Sequence, residues 1–253
     1  MTSEAVTDNA VTNGISRRLL LWCRAGALAC ALLAGCTTLP ELAPPPGVQA
    51  IPAPTPKVGE FWEYAVRDAY SGLPRVLVRY TVSRVDPGSF IVDLTQDGNL
   101  LDTRVYAPGW NPLQAPLTNL QRFRYDPAFP AFDFPLYPGK AWKRIVRSTD
   151  PETGRTYQTH VHASVGGWHR IRVPAGDFDA LQVVRTVYAG NMESFRLQEE
   201  IVEVEWYVPQ LGYVVVREGR SSHLDTSRSG GRHRPLRVNG DWLIAELVQH
   251  GGH

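Results

Sequence analysis

Cysteine and methionine are scarce in this chain, and an apolar run long enough to cross a membrane is missing. The sequence holds 3 cysteines and 2 methionines in 253 residues. The cysteines are Cys23, Cys30 and Cys36, so the chain beyond them has no thiol. A disulfide framework, a catalytic cysteine and a thiolate metal site are therefore excluded from the region that follows.

An excess of charge of one sign is also missing. Lysine and arginine together number 26 and aspartate and glutamate 25, which leaves a formal net charge of +1. Binding to nucleic acid needs a concentrated positive face, so nucleic acid is not expected as a partner.

The motifs of common hydrolases and metal sites are absent from the sequence as well. It contains no His-Glu-x-x-His, no Cys-x-x-Cys and no Gly-x-Ser-x-Gly elbow. Ser164, Ser194 and Ser221 lack a setting typical of a nucleophile. We predict no cofactor and no catalytic residue, and hence a protein that is not an enzyme.

What the N-terminus does contain is the organisation of a secretory signal. Arg17 and Arg18 precede an apolar stretch from 19 to 34, which Arg24 interrupts. A membrane-spanning helix needs about 20 apolar residues, so this stretch is too short to be one. A basic start, a short apolar region and small residues before a cut site predict a signal peptide over 1–35.

The end of this signal, Leu33-Ala34-Gly35-Cys36, resembles the lipobox of bacterial lipoproteins at all four positions. The resemblance implies that Cys36 is acylated, becomes the first residue of the mature chain and inserts into membrane lipid. Thr37, where some lipoproteins have Asp, implies by the same resemblance the outer membrane of the cell envelope, with the domain facing the periplasm. Arg17-Arg18 also resembles a twin-arginine export signal, and the sequence leaves open which export route is used.

The mature chain divides into a tether and one domain. Prolines crowd residues 36–57, and such density favours extended polyproline II structure, so we interpret this segment as a tether. Apolar and polar residues then alternate with period two over 58–249, between turns rich in glycine. This predicts an all-β, mainly antiparallel fold: a curved sheet or incomplete β-barrel.

Two parts of that domain look alike. Gly59 and Trp62 recur with the same spacing as Gly139 and Trp142, and each pair begins a set of predicted strands. A repeat near 80 residues suggests two similar β-meanders, although glycine and tryptophan at strand starts also arise by chance.

Between the two sets lies a segment, 106–138, that is rich in proline and aromatic residues. We expect one long loop that covers the sheet, either as a structural cover or as a lid and binding surface. The aromatic candidates for contact with a ligand or partner are Trp110, Phe123, Tyr125, Phe129, Phe132 and Phe134.

Residues 134–218 contain the motifs FPLYPGKAW, VPAGDFDA and EWYVPQLGYV. Through these motifs the segment resembles uncharacterised bacterial periplasmic β-sheet domains. The resemblance implies a β-sheet fold and assigns no activity.

Three polar features have both a structural and a functional interpretation. His160 and His162 share one face of a predicted strand and form a weak candidate pair of metal ligands. The structural alternative is that they belong to a polar stripe that faces solvent. Asp177 and Asp179 are more typical of a turn than of acid–base catalysis. Residues 219–237 form a predicted basic loop, either mobile in solvent or in contact with anionic envelope material, with Arg220, Arg228, Arg232, Arg234 and Arg237 as its cations.

The sequence thus favours an envelope lipoprotein that binds an envelope protein or an apolar ligand. The alternatives are a structural subunit of an outer-membrane assembly and, less favoured, a hydrolase or metal-binding protein.

Overall fold

The computed structural model describes residues 39–118, 121–190, 196–225 and 236–252. The predicted signal peptide, including Arg17, Arg18, Leu33, Ala34 and Gly35, and the predicted lipidation site Cys36 lie outside these residues. From Phe61 to Gly251, alternation of apolar and polar residues produces strands, since successive side chains of a strand point to opposite faces.

Twelve strands form in the described residues. They are β1 Phe61–Asp68, β2 Pro74–Asp86, β3 Ser89–Gln96, β4 Asn99–Ala107, β5 Asn111–Thr118, β6 Gln121–Asp126, β7 Ala141–Thr149, β8 Thr156–Val173, β9 Gly176–Ala189, β10 Arg196–Val208, β11 Tyr213–Asp225 and β12 Leu236–Gly251. A 3₁₀ turn, Pro209–Leu211, joins β10 to β11.

Each strand pairs with the next along the chain, and β12 pairs with β1, so the sheet closes into an antiparallel barrel. The closing pair runs from Phe61 opposite Gly251 to Asp68 opposite Leu243. The all-β antiparallel prediction is confirmed, and the barrel is closed rather than incomplete. Closure removes the exposed edges that an open sheet would leave.

The expectation of one long loop over 106–138 is wrong, because β5 and β6 lie within it. Pro112 and Pro116 lack a backbone N–H, and the pairing of β5 shifts register near each of them. The remaining segment, 127–140, packs with the core through Phe129, Phe132 and Leu136. Proline density therefore marked irregular pairing here and not the absence of strands.

The predicted basic loop over 219–237 is likewise shorter than expected. β11 extends to Asp225 and β12 begins at Leu236, while 226–235 lie outside the described residues. The last described segment, Leu236–Gly251, is the strand β12.

The two halves of the barrel begin in the same way. Gly59 and Gly139 both have positive φ, at 92° and 85°, and Trp62 and Trp142 are each the second residue of their strand. Both indoles are buried. The predicted pair of β-meanders thus corresponds to β1–β6 and β7–β12.

The first hairpin turns of the two halves match in detail. Asp68 and Asp150 each accept hydrogen bonds on Oδ1 from the backbone N–H groups two and three residues later. Gly72 and Gly154 then donate to the carbonyls of those aspartates at 2.8 and 2.9 Å, with φ of 72° and 70°. Two hairpins with the same side-chain cap support a duplicated unit.

Strand direction gives the barrel two ends. The turns after β2, β4, β8 and β10 lie at one end, which we call the closed end because five aromatic rings fill it. The odd-numbered strands end at the other, which we call the open end. The rings of the closed end belong to Trp62, Phe90, Tyr106, Trp110 and Tyr213.

The described part of the predicted tether lies against the barrel near the closed end. β7 begins at Ala141, opposite Ser164, and leaves the later part of β8 without that neighbour. Leu42 donates its N–H to the carbonyl of Trp168 in this part of β8, at 2.7 Å, and Ile51 bridges to Leu136. The chain therefore enters the barrel at its closed end.

Candidate functional site

A cavity of about 870 Å³ lies inside the barrel. Trp110 and Phe132, both almost fully buried, bound it toward the closed end. Toward the open end its walls include Leu101, Arg75 and Arg122, whose side chains are exposed or half exposed. Among the described residues, the cavity is thus closed by aromatic rings at one end and bordered by solvent-exposed side chains at the other.

The closed-end boundary is built around Trp110. Its ring stacks on Tyr213 at 3.9 Å between centroids, and its Nε1 donates to the carbonyl of Gly212 at 2.8 Å. The φ of Trp110 is 61°, a conformation that costs energy for any residue but glycine. The ring contacts compensate this cost and keep the indole across the end of the barrel.

One charged cluster lies deep in the barrel between β9, β10 and β11. Glu205, fully buried, has Oε2 2.7 Å from Arg185 Nη2 and Oε1 2.5 Å from Arg217 Nε. Arg185 also donates from Nε to Glu203 at 3.0 Å and from Nη1 to the carbonyl of Ala131 at 2.8 Å. Buried charges persist in a protein when they are paired in this way.

The charge state of Glu205 follows from these partners. Burial acts to raise the pKa of its carboxyl, but the guanidinium groups of Arg185 and Arg217 hold that pKa below its ordinary value. Glu205 is therefore ionised at neutral pH. Arg217 in turn donates from Nη2 to the hydroxyl of Tyr213 at 2.9 Å.

A second charged cluster lies nearer the open end, on β4 and β6. Arg104 donates from Nε to Asp102 at 3.0 Å, and Arg122 also pairs with Asp102. The guanidinium carbon of Arg104 lies 5.5 Å from the ring centroid of Tyr80. Asp102 thus serves two cations at once.

Tyrosine hydroxyls supply neutral donors in the same interior. Burial raises the pKa of Tyr64, Tyr106, Tyr125 and Tyr213 above the ordinary value, so these phenols stay protonated at neutral pH. Tyr64 already donates to the carbonyl of Val214 at 2.6 Å. The rest of the wall is aliphatic and includes Val66, Val76, Val78, Leu94, Val187, Ile201, Leu243 and Ala245.

This combination suits a small molecule with a polar group and an apolar part. The volume of the cavity falls in the range of small-molecule sites, which are mainly apolar with a few polar groups that fix the orientation of the ligand. The arginine and tyrosine side chains can orient the polar group, and the aliphatic wall can cover the rest.

The six aromatic residues predicted as a contact surface are mostly interior. Trp110, Phe123, Tyr125, Phe129 and Phe132 are buried, and Phe134 is half buried. Trp110, Tyr125, Phe129 and Phe132 line the cavity, whereas Phe123 packs on Tyr157 instead, with ring centroids 6.1 Å apart. Contact with a ligand stays a prediction for these side chains, and those that are buried do not form a lid on the outside of the barrel.

The sequence did not predict the charged interior, because the alternation of residues favoured the apolar face of each strand for the core. In β10 the apolar residues Val202, Val204 and Trp206 alternate with Glu203 and Glu205. The structure turns the glutamates inward, toward Arg185 and Arg217 on the neighbouring strands. The excess of acidic residues in β10 next to the arginines of β9 and β11 was the available signal.

The two candidate aspartates lie at the surface and do not line the cavity. Asp177 pairs with Arg172 at 2.9 Å and Asp179 with Arg170 at 2.8 Å, so each carboxylate has a cross-strand cation rather than the other aspartate as its partner. The Arg172 guanidinium lowers the pKa of Asp177. This arrangement is typical of surface ion pairs.

His160 and His162 share the outer face of β8, as their spacing predicted, and the ring of His162 lies edge-on to Tyr188. Within the described ranges no three His, Cys, Asp or Glu side chains gather closely enough to hold a metal ion.

In those same ranges no helix has the length and apolar character to span a bilayer.

The arginines of the predicted basic loop are only partly described. Arg220 is exposed on β11, and Arg237 pairs with Glu200 at 3.3 Å. Arg228, Arg232 and Arg234 lie outside the described residues. A surface for anionic envelope material at this loop stays a prediction.

No protein-family model and no curated protein matches this sequence. Solved structures give distant likenesses. They include a predicted lipoprotein from Parabacteroides distasonis (16% identity, TM-score 0.45) and a predicted exported protein with a YmcC-like fold from Bacteroides fragilis (15% identity, TM-score 0.44). Each of these alignments covers 80% of this chain and 99% of the other.

The hypothetical lipoprotein YmcC from Escherichia coli is also similar, at 8% identity and a TM-score of 0.38, over 76% of this chain and 84% of that one. At such identities and TM-scores, these likenesses indicate neither an activity nor a ligand for this chain.

Proposed function

We propose that this chain is an envelope lipoprotein, anchored through Cys36 in the outer membrane, whose barrel binds a small amphipathic molecule without catalysing a reaction. The observation that carries the proposal is the 870 Å³ cavity, with its aliphatic wall and its arginine and tyrosine side chains. Anchoring rests on the Leu33–Cys36 motif.

The position of the chain entry supports the same function. Leu42 and Ile51 bind at the closed end, whereas the cavity reaches solvent at the open end. An anchor upstream of Leu42 leaves the mouth of the cavity accessible to a ligand from the periplasm.

Solvent extraction of the protein purified from membranes, followed by mass spectrometry, tests the proposal. Two variants on β2 provide the comparison. Val78 lines the cavity, whereas Leu77 is exposed on the outer face. Val78→Trp fills part of the cavity and should reduce the co-purifying small molecule severalfold, while Leu77→Trp should carry as much as the unchanged protein.

Equal amounts of extracted molecule from both variants would contradict binding inside the barrel. A protein partner that co-purifies stoichiometrically, with no small molecule in any sample, would instead favour the subunit of an outer-membrane assembly.

A further inference from the structure

The described side chains that line the cavity carry more positive than negative charge. Six arginines face four carboxylates, and one of these arginines, Arg75, pairs with Asp68, which lies outside the lining. Five arginines therefore remain for the four carboxylates of the lining, which leaves an excess of one positive charge. The arginines are Arg75, Arg104, Arg122, Arg185, Arg217 and Arg220, and the carboxylates are Asp102, Glu203, Glu205 and Asp241.

The deep arginines are committed to the protein. Arg185 places all three of its guanidinium nitrogens on Glu203, Glu205 and the Ala131 carbonyl, and only 3% of its side chain is exposed. Arg217 places Nε on Glu205 and Nη2 on Tyr213. Neither can be removed or redirected without leaving a buried group unpaired.

Arg104 differs in its partners and its access. It donates from Nε to Asp102, a carboxylate that Arg122 also neutralises. Although Arg104 lies inside the barrel, 19% of its side chain is exposed. The guanidinium of Arg104 is thus paired with Asp102 and also hydrogen-bonds the hydroxyl of Tyr106, which is neutral and leaves it without a second counter-charge. A second anion can therefore bind beside Tyr106, since a guanidinium binds carboxylate and phosphate through paired N–H donors.

Its surroundings complete a site for such an anion. The phenol ring of Tyr80 lies beside the guanidinium, and Tyr106, two residues along β4, places its hydroxyl in the same part of the cavity. Hydroxyl protons rotate to suit a partner, so both can donate to an oxyanion. Val76, Val78 and Leu94, on the adjoining strands β2 and β3, form the aliphatic wall next to them.

We infer that the ligand is an anionic single-chain amphiphile, whose carboxylate or phosphate group binds Arg104 and whose hydrocarbon chain lies along the aliphatic wall. This rests on the proposed binding of a small molecule inside the barrel. A carboxylate and a phosphate monoester share the required chemistry, and the test separates these two sources.

Calorimetric titration of the mature lipoprotein in phosphatidylcholine nanodiscs tests the inference, with the heat from empty nanodiscs subtracted. The probes are decanoate, decyl phosphate and decanol, which have the same chain length. At least one anion should bind about tenfold or more tightly than decanol, since hydrogen bonds to charged groups contribute about 1.5–3 kcal/mol, a factor of roughly 10 to 100. The tighter of the two anions identifies the headgroup.

Arg104→Gln should lower the affinity for the preferred anion about tenfold or more and leave that for decanol unchanged. Asp102 keeps Arg122 in this variant, so the folded state retains a paired carboxylate. Arg172→Gln, which removes an arginine from an exposed ion pair outside the cavity lining, should change neither affinity. Arg104→Lys keeps the charge without the planar fork, and should still prefer the anion over decanol, but bind it more weakly than the unchanged protein.

The outcomes separate the two proposals. Equal binding of decanol and both anions, or unchanged anion binding in Arg104→Gln or in Arg104→Lys, overturns the anionic headgroup but leaves small-molecule binding intact. Absence of binding for all three probes overturns both.

Discussion

At the scale of single residues, Glu205 shows how the interior of this barrel tolerates charge. Its carboxylate is fully buried, yet it contacts Arg185 and Arg217, and their guanidinium groups keep its pKa low in spite of burial. A buried ion pair adds little over an apolar pair, but removing one partner leaves the other charge without compensation. Removing one member of the cluster therefore costs more stability than replacing the whole cluster with apolar residues would.

Glu205→Gln should lower the free energy of unfolding by about 3–5 kcal/mol, because Arg185 and Arg217 lose their shared counter-charge in the interior. Urea unfolding followed by tryptophan fluorescence measures the change. Asp177→Asn, which breaks an exposed ion pair, serves as the control and should leave the midpoint nearly unchanged. Equal midpoints for the two variants would show that the buried cluster does not stabilise the barrel.

At the scale of elements, the turn between β1 and β2 depends on a single carboxylate. Asp68 accepts from the N–H groups of Tyr70 and Ser71 and pairs with Arg75 at 2.5 Å. The bond from Arg75 and the backbone bond from Ser71 lower the pKa of Asp68 from 3.8 to about 2. Asp150 caps the equivalent turn in the second half of the barrel.

This lowered pKa predicts a pH dependence of stability. Because the folded-state pKa is below the unfolded value, the carboxylate stabilises the fold at pH above about 4, and this contribution is lost as the pH falls toward about 2. Asp68→Asn should be less stable than the unchanged protein at neutral pH and should lose less stability between pH 4 and 2. Thermal unfolding across this range measures the difference, and NMR titration should place the midpoint of Asp68 near 2.

Asp150→Asn is the matched variant in the second half, and it should also destabilise the protein at neutral pH, because it removes the same backbone cap. A midpoint for Asp68 close to its ordinary 3.8 would contradict the proposed role of Arg75 and Ser71 in this turn.

At the scale of the whole molecule, the described start of the chain and the mouth of the cavity lie at different ends of the barrel. The chain binds to the closed end through Leu42 and Ile51, and the five aromatic rings there separate that end from the cavity. Lipid attached upstream would hold the barrel at a membrane without blocking the open end. The proposed function therefore requires acylation of Cys36 to place the barrel in the envelope.

Cys36→Ser should abolish incorporation of a labelled palmitate analogue and leave the precursor with its signal peptide uncleaved, because the thiol is the group that is acylated. Labelling in cells followed by mass spectrometry of the purified chain measures both effects. Cys30→Ser, within the predicted signal peptide, should be labelled and processed like the unchanged protein. Labelling that persists in Cys36→Ser would contradict the lipoprotein assignment.

The sequence by itself determined the fold class, because period-two alternation and glycine turns constrain each strand locally, without reference to distant residues. It also indicated the two related halves, since the spacing of Gly59 and Trp62 recurs at Gly139 and Trp142. It was wrong about 106–138, where neighbouring strands on either side impose pairing on a proline-rich segment that would not form a strand alone.

Only the tertiary structure decided which face of each strand points inward. In β10 the pattern alone favours Val202 and Val204 for the core, because hydrophobic burial is the dominant local criterion. The barrel instead turns Glu203 and Glu205 inward, because Arg185 and Arg217 on the adjoining strands pair with them there. Pairing across strands is not visible in a single sequence, and it is this pairing, together with closure of β12 on β1, that creates the charged cavity.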